Sequence, residues 1–276
     1  MIRTSIRMLN DGVIKYDGGT IFGQVPKAVW EKNVPVDRKN RITMGLNCLL
    51  IQCGNRNILI DTGVGSKDMN GKRELYGLQP SKLSKELKDL GLTPRDIDTV
   101  ILTNLCFDHV GGCSRMDRAG NLVPTFPKAK FYVQREAWEE ALNPNERCRD
   151  SYASEDLDAL LDTEQLVLLD GDTEVFPGIH CRKAAGPTQG HQIVTITHGG
   201  ERVVCLGDII PTPYHLEPAC ISSTDRHPES TLETKRELIE RSIKDGWLLI
   251  FYHGWDTRAG YLEKRDGRVA LRPVEF

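Results

Sequence analysis

The chain has 276 residues, 39% of them hydrophobic and 27% charged, and 36 Lys and Arg against 39 Asp and Glu leave a net charge of -3. Such a chain is globular and can bury roughly three quarters of its unfolded surface without staples. The near-even charge balance removes the broad pull toward phosphate backbones or anionic lipid, so neither a nucleic acid nor a membrane is an expected partner.

The start, Met1-Ile2-Arg3-Thr4-Ser5-Ile6-Arg7, lacks a continuous apolar run, and the longest apolar stretch, residues 247–252, is too short for a bilayer. A cytoplasmic, unanchored protein is the expectation. The eight cysteines (48, 53, 106, 113, 148, 181, 205, 220) show no CxxC spacing and read as reduced thiols. No repeat, low-complexity tract or linker interrupts the chain, which reads as one domain over residues 1–276.

In chain order, residues 46–52 and 57–60 form β-rich runs around the turn Cys53-Gly54-Asn55-Arg56, and a loop follows at Asp61-Thr62-Gly63. Pro80 stands where a first helical residue would, Leu83, Leu87 and Leu90 repeat at helical spacing, and Gly91 supplies a stop. Residues 100–102 form a short buried strand that runs into Asn104-Leu105-Cys106-Phe107-Asp108-His109-Val110-Gly111-Gly112. Further strands fall near 130–133, 192–197 and 203–206. A helix is predicted from about 232 to 245, capped by Ser230 or Thr231 and stopped by Gly246, before a buried strand at 247–252 that ends on His253. Strands interleave with helices and hairpins, which predicts a mixed sheet covered by helices.

Four polar anchors follow apolar strands directly: Asp61, the Asp108-His109 pair, Asp208 and His253. Carboxylates and imidazoles gathered at strand ends can close a four-coordinate shell around a divalent metal. Spacing alone leaves the plainer alternative open, in which each is a helix cap or a satisfied turn residue.

Ile60-Asp61-Thr62-Gly63, the 103–112 segment, Gly186-Pro187-Thr188-Gln189-Gly190-His191-Gln192, Gly207-Asp208 and Phe251-Tyr252-His253 together resemble the ordered motifs of the metallo-β-lactamase superfamily. The branch they resemble most holds lactonase-like metallo-hydrolases related to acyl-homoserine-lactone lactonases. The resemblance runs from about residue 18 to the C-terminus and implies an α/β fold, a four-layer αββα sandwich.

In that family a His-x-His-x-Asp-His motif and a Gly-His-Thr loop supply three histidines to the first metal. Here those positions read Asn104, Cys106 and Pro187. Proline has no side-chain donor, Asn is a weak ligand and a Cys sulfur reaches less far than an imidazole, so the first site is expected to be absent. The second set, by the same resemblance, is Asp108, His109 and His253, with Asp208 at the place of the bridging carboxylate, and all four are present. One divalent metal is therefore the expected cofactor, zinc first, manganese or iron as alternatives.

Several positions carry two readings each. Cys106 is a ligand or nucleophile, or a small buried residue filling a vacated place. Asn104 hydrogen-bonds a water or an acidic ligand, or caps the turn before Phe107. His191 shuttles a proton or supports its loop. Tyr214 and His215 touch substrate or are loop aromatics. Asp61 orients a ligand histidine or its loop, as the family's Asp-Thr-Gly segment implies.

The expected function is hydrolysis of a small ester, lactone or related electrophile, with Asp108, His191 and Tyr214 as the candidate catalytic residues and a small molecule as partner. A homodimer is a further expectation from the relatives. The competing hypothesis is a catalytically inactive member of the fold that binds a ligand or partner.

Overall fold

The apolar runs pair into two mixed sheets in the computed structural model, which describes residues 4–67, 71–161 and 164–276. Met1–Arg3, part of the leader reading, lie outside the described residues. The chain divides into two compact units, residues 1–12 with 46–170, and 13–45 with 171–276.

Among the described residues, the six-stranded sheet runs in the order Thr4–Asp17, Arg41–Cys53, Arg56–Ile60, Thr99–Ile101, Lys130–Gln134 and Leu166–Leu169. The last four strands are parallel, with Ile60 opposite Ile101 and Ile101 opposite Tyr132. Parallel strands buried on both faces favour unbroken apolar runs, as in the Ile58, Leu59 and Ile60 run. The shared register also brings the residues after Ile60 and after Ile101 out at one edge, where α/β proteins place their chemistry. Leu50, Leu59, Val100, Phe131 and Leu87 belong to the core of this unit.

The predicted helix near Pro80 begins later, at Leu83, and runs to Asp89. Its cap comes from far away in sequence. The Asp11 carboxylate accepts from the backbone N–H of Lys82 (3.2 Å) and Leu83 (3.1 Å), from Gly65 N–H (3.0 Å) and from the Ser81 hydroxyl. A local reading that starts the helix at Pro80 has no sight of that distant acceptor.

In the second unit, Thr173–Phe176, Ile179–Lys183, Gln192–His198, Glu201–Cys205, Leu248–Ile250, Ala259–Arg265 and Arg268–Pro273 form a seven-stranded sheet. Its one parallel pair among the described residues sets Cys205 beside Ile250. Each of those strands leads within three residues into a candidate ligand, Asp208 and His253. The long helix spans Pro228–Asp245 and ends at Gly246, whose φ of 65° is the left-handed stop expected of it. Its start lies four residues before the predicted one, because Pro228 occupies the first helical position, where a missing N–H costs nothing. Leu238 and Ile239 pack with Val204, Leu206, Trp247 and Leu249. All eight cysteines are free thiols. Among the described residues no helix is long and apolar enough to cross a membrane.

The remote cap carries a measurable cost. Asp11→Ala strands two buried N–H donors, those of Gly65 and Leu83, and urea unfolding is expected to show a loss of about 2–4 kcal/mol; a change below 0.5 kcal/mol would refute the capping role.

Candidate metal centre

In the first unit the donor-bearing segment begins at Asp61. Its backbone is left-handed (φ 55°), a conformation Asp tolerates better than most residues, and its N–H is tied to Ile101 O at 2.9 Å. That geometry turns the carboxylate onto the neighbouring strand end. Oδ1 accepts from Thr103 N–H (2.8 Å), and Oδ2 accepts from the Thr103 hydroxyl (2.7 Å). His109 Nδ1 lies 3.1 Å from Asp61 Oδ2 and 3.1 Å from Thr103 Oγ1. Both are acceptors for it, so Nδ1 carries the proton and the lone pair of the neutral ring sits on Nε2.

Asp108 and His109 lie in the one-turn helix Phe107–Val110 and are buried, at 3% and 0% exposure. The glycines after it explain how the segment sits so close to the Asp61 loop. A Cβ on Gly111 would lie 2.4 Å from Val64 O, and one on Gly112 would lie 2.2 Å from Thr62 O. Thr62 adds two bonds to His109 O, from its N–H and its hydroxyl, both at 2.8 Å. Beyond the glycines, buried Lys67 donates to Gly111 O and Ser114 O and pairs with Asp156 Oδ1 at 2.5 Å. Burial pushes the Asp156 carboxyl above its ordinary range, against the opposing pull of Lys67.

Asn104 is fully buried, and its Oδ1 accepts from Cys106 N–H at 2.8 Å. This is the turn-capping arrangement, one of the two open readings for that residue. Cys106 is half-buried and stands at the N-cap of the Phe107–Val110 helix without a side-chain cap bond.

In the second unit His253 is clamped by Gly45. Gly45 N–H donates to His253 O (3.1 Å), and His253 Nδ1 donates to Gly45 O (2.9 Å). A carbonyl can only accept, so the neutral form of His253 also has its lone pair on Nε2. That atom lies 3.3 Å from Asp208 Oδ1. His253 N–H is held by Pro211 O at 2.9 Å, and the edges of the Tyr252 and Tyr16 rings flank the imidazole.

His191 differs from the candidate role of proton shuttle. It is fully buried; Nδ1 donates to Ala184 O (3.1 Å) and Nε2 accepts from Asp208 N–H (2.9 Å). Both nitrogens serve the protein, and one of them holds the backbone of Asp208. Tyr214 also departs from the substrate-facing expectation: its hydroxyl donates to Asp256 Oδ2 at 2.5 Å, and burial together with Asp256 pushes the phenol up to about 12. His215 is buried, accepts the Thr212 hydroxyl at Nδ1 (2.8 Å), donates from Nε2 to Ile21 O (3.1 Å) and stacks on Phe22. Pro187 is buried in its loop. That loop is held by Arg226 N–H on Pro187 O (3.3 Å) and on Gly186 O (3.1 Å).

Sequence reasoning missed Gly45 and Thr103. Gly45 acts through its carbonyl and leaves no side-chain signal at all. Thr103 directly precedes the noticed motif, and its position between strand and motif was the available cue.

In each unit these arrangements fix imidazoles and carboxylates at the ends of strands. The sequence profile of the Metallo-beta-lactamase superfamily matches residues 43–253, and the chain belongs to that superfamily. It is 26% identical over 218 residues to an N-acyl homoserine lactonase of Bacillus thuringiensis, covering 75% of this chain and 80% of that protein. Over 114 residues it is 31% identical to the N-acyl homoserine lactonase AiiB of Agrobacterium fabrum, 38% of this chain and 41% of that one. Among solved structures, a probable metal-dependent hydrolase from Staphylococcus aureus superposes with a TM-score of 0.88 at 31% identity, covering 99% and 98% of the two chains. The dizinc quorum-quenching lactonase AidC superposes at 0.81 with 19% identity, over 99% and 95%. The expected α/β fold of the superfamily is thus present, and its relatives are metallo-hydrolases.

Burial pushes the His215 imidazole down to about 3, from an ordinary 6.5. Below about pH 6.5 the unfolded chain takes up a proton that the folded one refuses, so stability falls as pH drops toward 3. Urea unfolding between pH 7 and 5 is expected to lose about 2 kcal/mol through this site. His215→Gln removes that part of the slope; an unchanged slope would contradict the assignment.

Proposed function

We propose that this chain is a metal-dependent hydrolase of a small ester or lactone that uses one divalent cation, with Asp108 and His109 in the first unit and His253 and Asp208 in the second as the candidate donors. The observation that carries the reading is the Asp208–His253 pair. The Nε2 lone pair faces a carboxylate oxygen at 3.3 Å, and two acceptors at that separation need a proton or a cation between them. Two ligands of a tetrahedral zinc, each about 2.0–2.2 Å from the metal, stand roughly 3.4 Å apart, so a cation fits. Within the first unit His109 is oriented in the same way, since Asp61 and Thr103 leave its Nε2 as the donor.

The donor set, two imidazoles and two carboxylates, suits zinc first and admits manganese or iron. A single cation is the reading because Asn104 spends its carboxamide oxygen on Cys106 N–H and Pro187 has no donor. When bound, the cation supplies Lewis acidity toward a carbonyl oxygen and toward water. The chain's own residues do the rest. Asp61 and Thr103 hold the His109 ring; Gly45 holds the His253 ring; His191 holds the backbone at Asp208. Tyr214 keeps its proton on Asp256 and is a poor acid at neutral pH. The substrate class follows the lactonases among the relatives.

Zinc added to metal-free protein is expected to bind at one equivalent, with hydrolysis of lactones or esters that Asp108→Ala abolishes. Two equivalents would overturn the single-cation reading, and none would overturn the metal centre. Binding of one zinc with no turnover across lactones, esters, thioesters and phosphoesters would favour the inactive, ligand-binding member of the fold, which the three replaced positions also suit. Asp61→Asn keeps the side chain's shape but removes the anionic acceptor at His109; zinc affinity measured by chelator competition is expected to fall about 10- to 100-fold. Unaltered affinity would exclude the orienting role.

A further inference from the structure

Outside the ligands, the strongest unassigned group in the second unit is the pair formed by Tyr214 and Asp256. Tyr214 lies in the single turn Pro213–His215, six residues after Asp208. Asp256 lies three residues after His253. Their bond, at 2.5 Å with a carboxylate as acceptor, is of the charge-assisted kind that is stronger than a neutral one.

The two segments it joins are the two that carry Asp208 and His253, and each end of the tie is built to be stiff. On the Tyr214 side, Tyr214 N–H donates to Thr212 Oγ1 (3.2 Å), whose hydroxyl donates to His215 Nδ1 (2.8 Å), and His215 is anchored on Ile21 O and the Phe22 ring. On the Asp256 side the chain doubles back at once. Gly254 N–H bonds Phe251 O at 3.1 Å and Phe251 N–H bonds Arg258 O at 2.9 Å. A Cβ at Gly254 would lie 2.2 Å from Thr257 O, so only glycine lets the turn close there. The second Asp256 oxygen accepts from Thr257 N–H at 3.0 Å, which fixes the carboxylate's direction. Between these ends His253 N–H already rests on Pro211 O.

We propose that Tyr214 is a positioning residue: through Asp256 it latches the turn after His253 to the segment after Asp208, and so keeps the His253 imidazole and the Asp208 carboxylate converged on one cation. This rests on the metal-centre reading above. The two segments are bonded by Leu206 N–H on Ile250 O (3.1 Å) and by His253 N–H on Pro211 O (2.9 Å). A further tie beyond the two ligands limits how the segments can turn about those bonds and so sets the angle between the ligands. Tyr214 gives up no proton in this role, and its hydroxyl keeps its hydrogen, donated to Asp256 Oδ2.

The test uses the full chain freed of metal, with Co²⁺ as the probe, in wild type, Tyr214→Phe, Asp256→Ala and the double variant. Tyr214→Phe keeps the ring and its packing and removes only the donor. Each single variant is expected to weaken Co²⁺ binding about tenfold and to shift the visible ligand-field bands, and the double variant is expected to add nothing further, as for two partners of one bond. A metal-independent readout comes from Trp255, which sits beside Asp256 at 55% exposure, whereas Trp30, Trp138 and Trp247 are buried. Its acrylamide quenching in metal-free protein is expected to rise about twofold in Tyr214→Phe. Unchanged affinity, bands and quenching in Tyr214→Phe would overturn the latch while leaving the metal centre standing. Failure of the wild type to bind Co²⁺ would overturn the metal centre, and the latch's role toward it as well, even if the quenching change marked a tie between the segments. Additive losses in the double variant would also overturn the latch, because they would mean that the two residues act separately.

Discussion

A histidine can hold a cation only through a nitrogen that carries a lone pair, and everything at this site depends on what fixes the other nitrogen. At His109 that is a carboxylate in a left-handed backbone, helped by a threonine hydroxyl. At His253 it is a glycine carbonyl. Different chemistry gives the same result, an Nε2 whose lone pair is available by tautomer. Around the first histidine the supporting architecture is dense. The Gly111-Gly112 pair lets the helix turn lie against the Asp61 loop, and Lys67 then neutralises the carbonyls and the buried Asp156 behind it. Breaking one partner of such a buried pair costs far more than the pair itself contributes, since it leaves a charge without solvent.

At Asn104 and Pro187, where the family resemblance expects histidines, the polar groups find partners nearby, as buried polar groups must. Asn104 does so by turning its carbonyl oxygen onto Cys106 N–H, which closes the turn into the Asp108-His109 helix. In the second unit, Gly186 and Pro187 carry their backbone oxygens to Arg226 and His227 N–H, immediately before the long helix. Both arrangements tie the backbone down, one at the entry to the Asp108-His109 helix and the other just before the long helix.

Much of this was legible from the residues, for reasons that differ by element. The parallel strands before Asp61 and Asp108 were readable because a strand buried on both faces must be uniformly apolar. The stop at Gly246 was readable because a left-handed residue after a helix favours glycine. The start at Leu83 was not, because its cap is Asp11, more than seventy positions upstream. Nor was the role of Gly45, whose contribution is a backbone oxygen that any residue possesses. Asp61 and the four candidate ligands stood out as polar groups after apolar runs, but the roles of His191 and Tyr214 depended on partners that only the tertiary structure brings near.

The three buried histidines of the second unit sharpen that last point. In the sequence His191, His215 and His253 are alike, each an imidazole beyond a strand or in a loop. The kinds of atom that face them separate them. His191 meets one acceptor and one donor, Ala184 O and Asp208 N–H, and His215 likewise meets Ile21 O and the Thr212 hydroxyl. A neutral ring satisfies one acceptor and one donor completely, and burial then holds it neutral, as the lowered pKa of His215 reflects. His253 meets Gly45 O on one side and a carboxylate oxygen on the other. A neutral imidazole cannot donate from both nitrogens, so Nε2 and the Asp208 oxygen face each other as two acceptors, an arrangement that a cation between them would satisfy. The mismatch between a ring's donors and its surroundings separates His253 from the other two where sequence position alone does not.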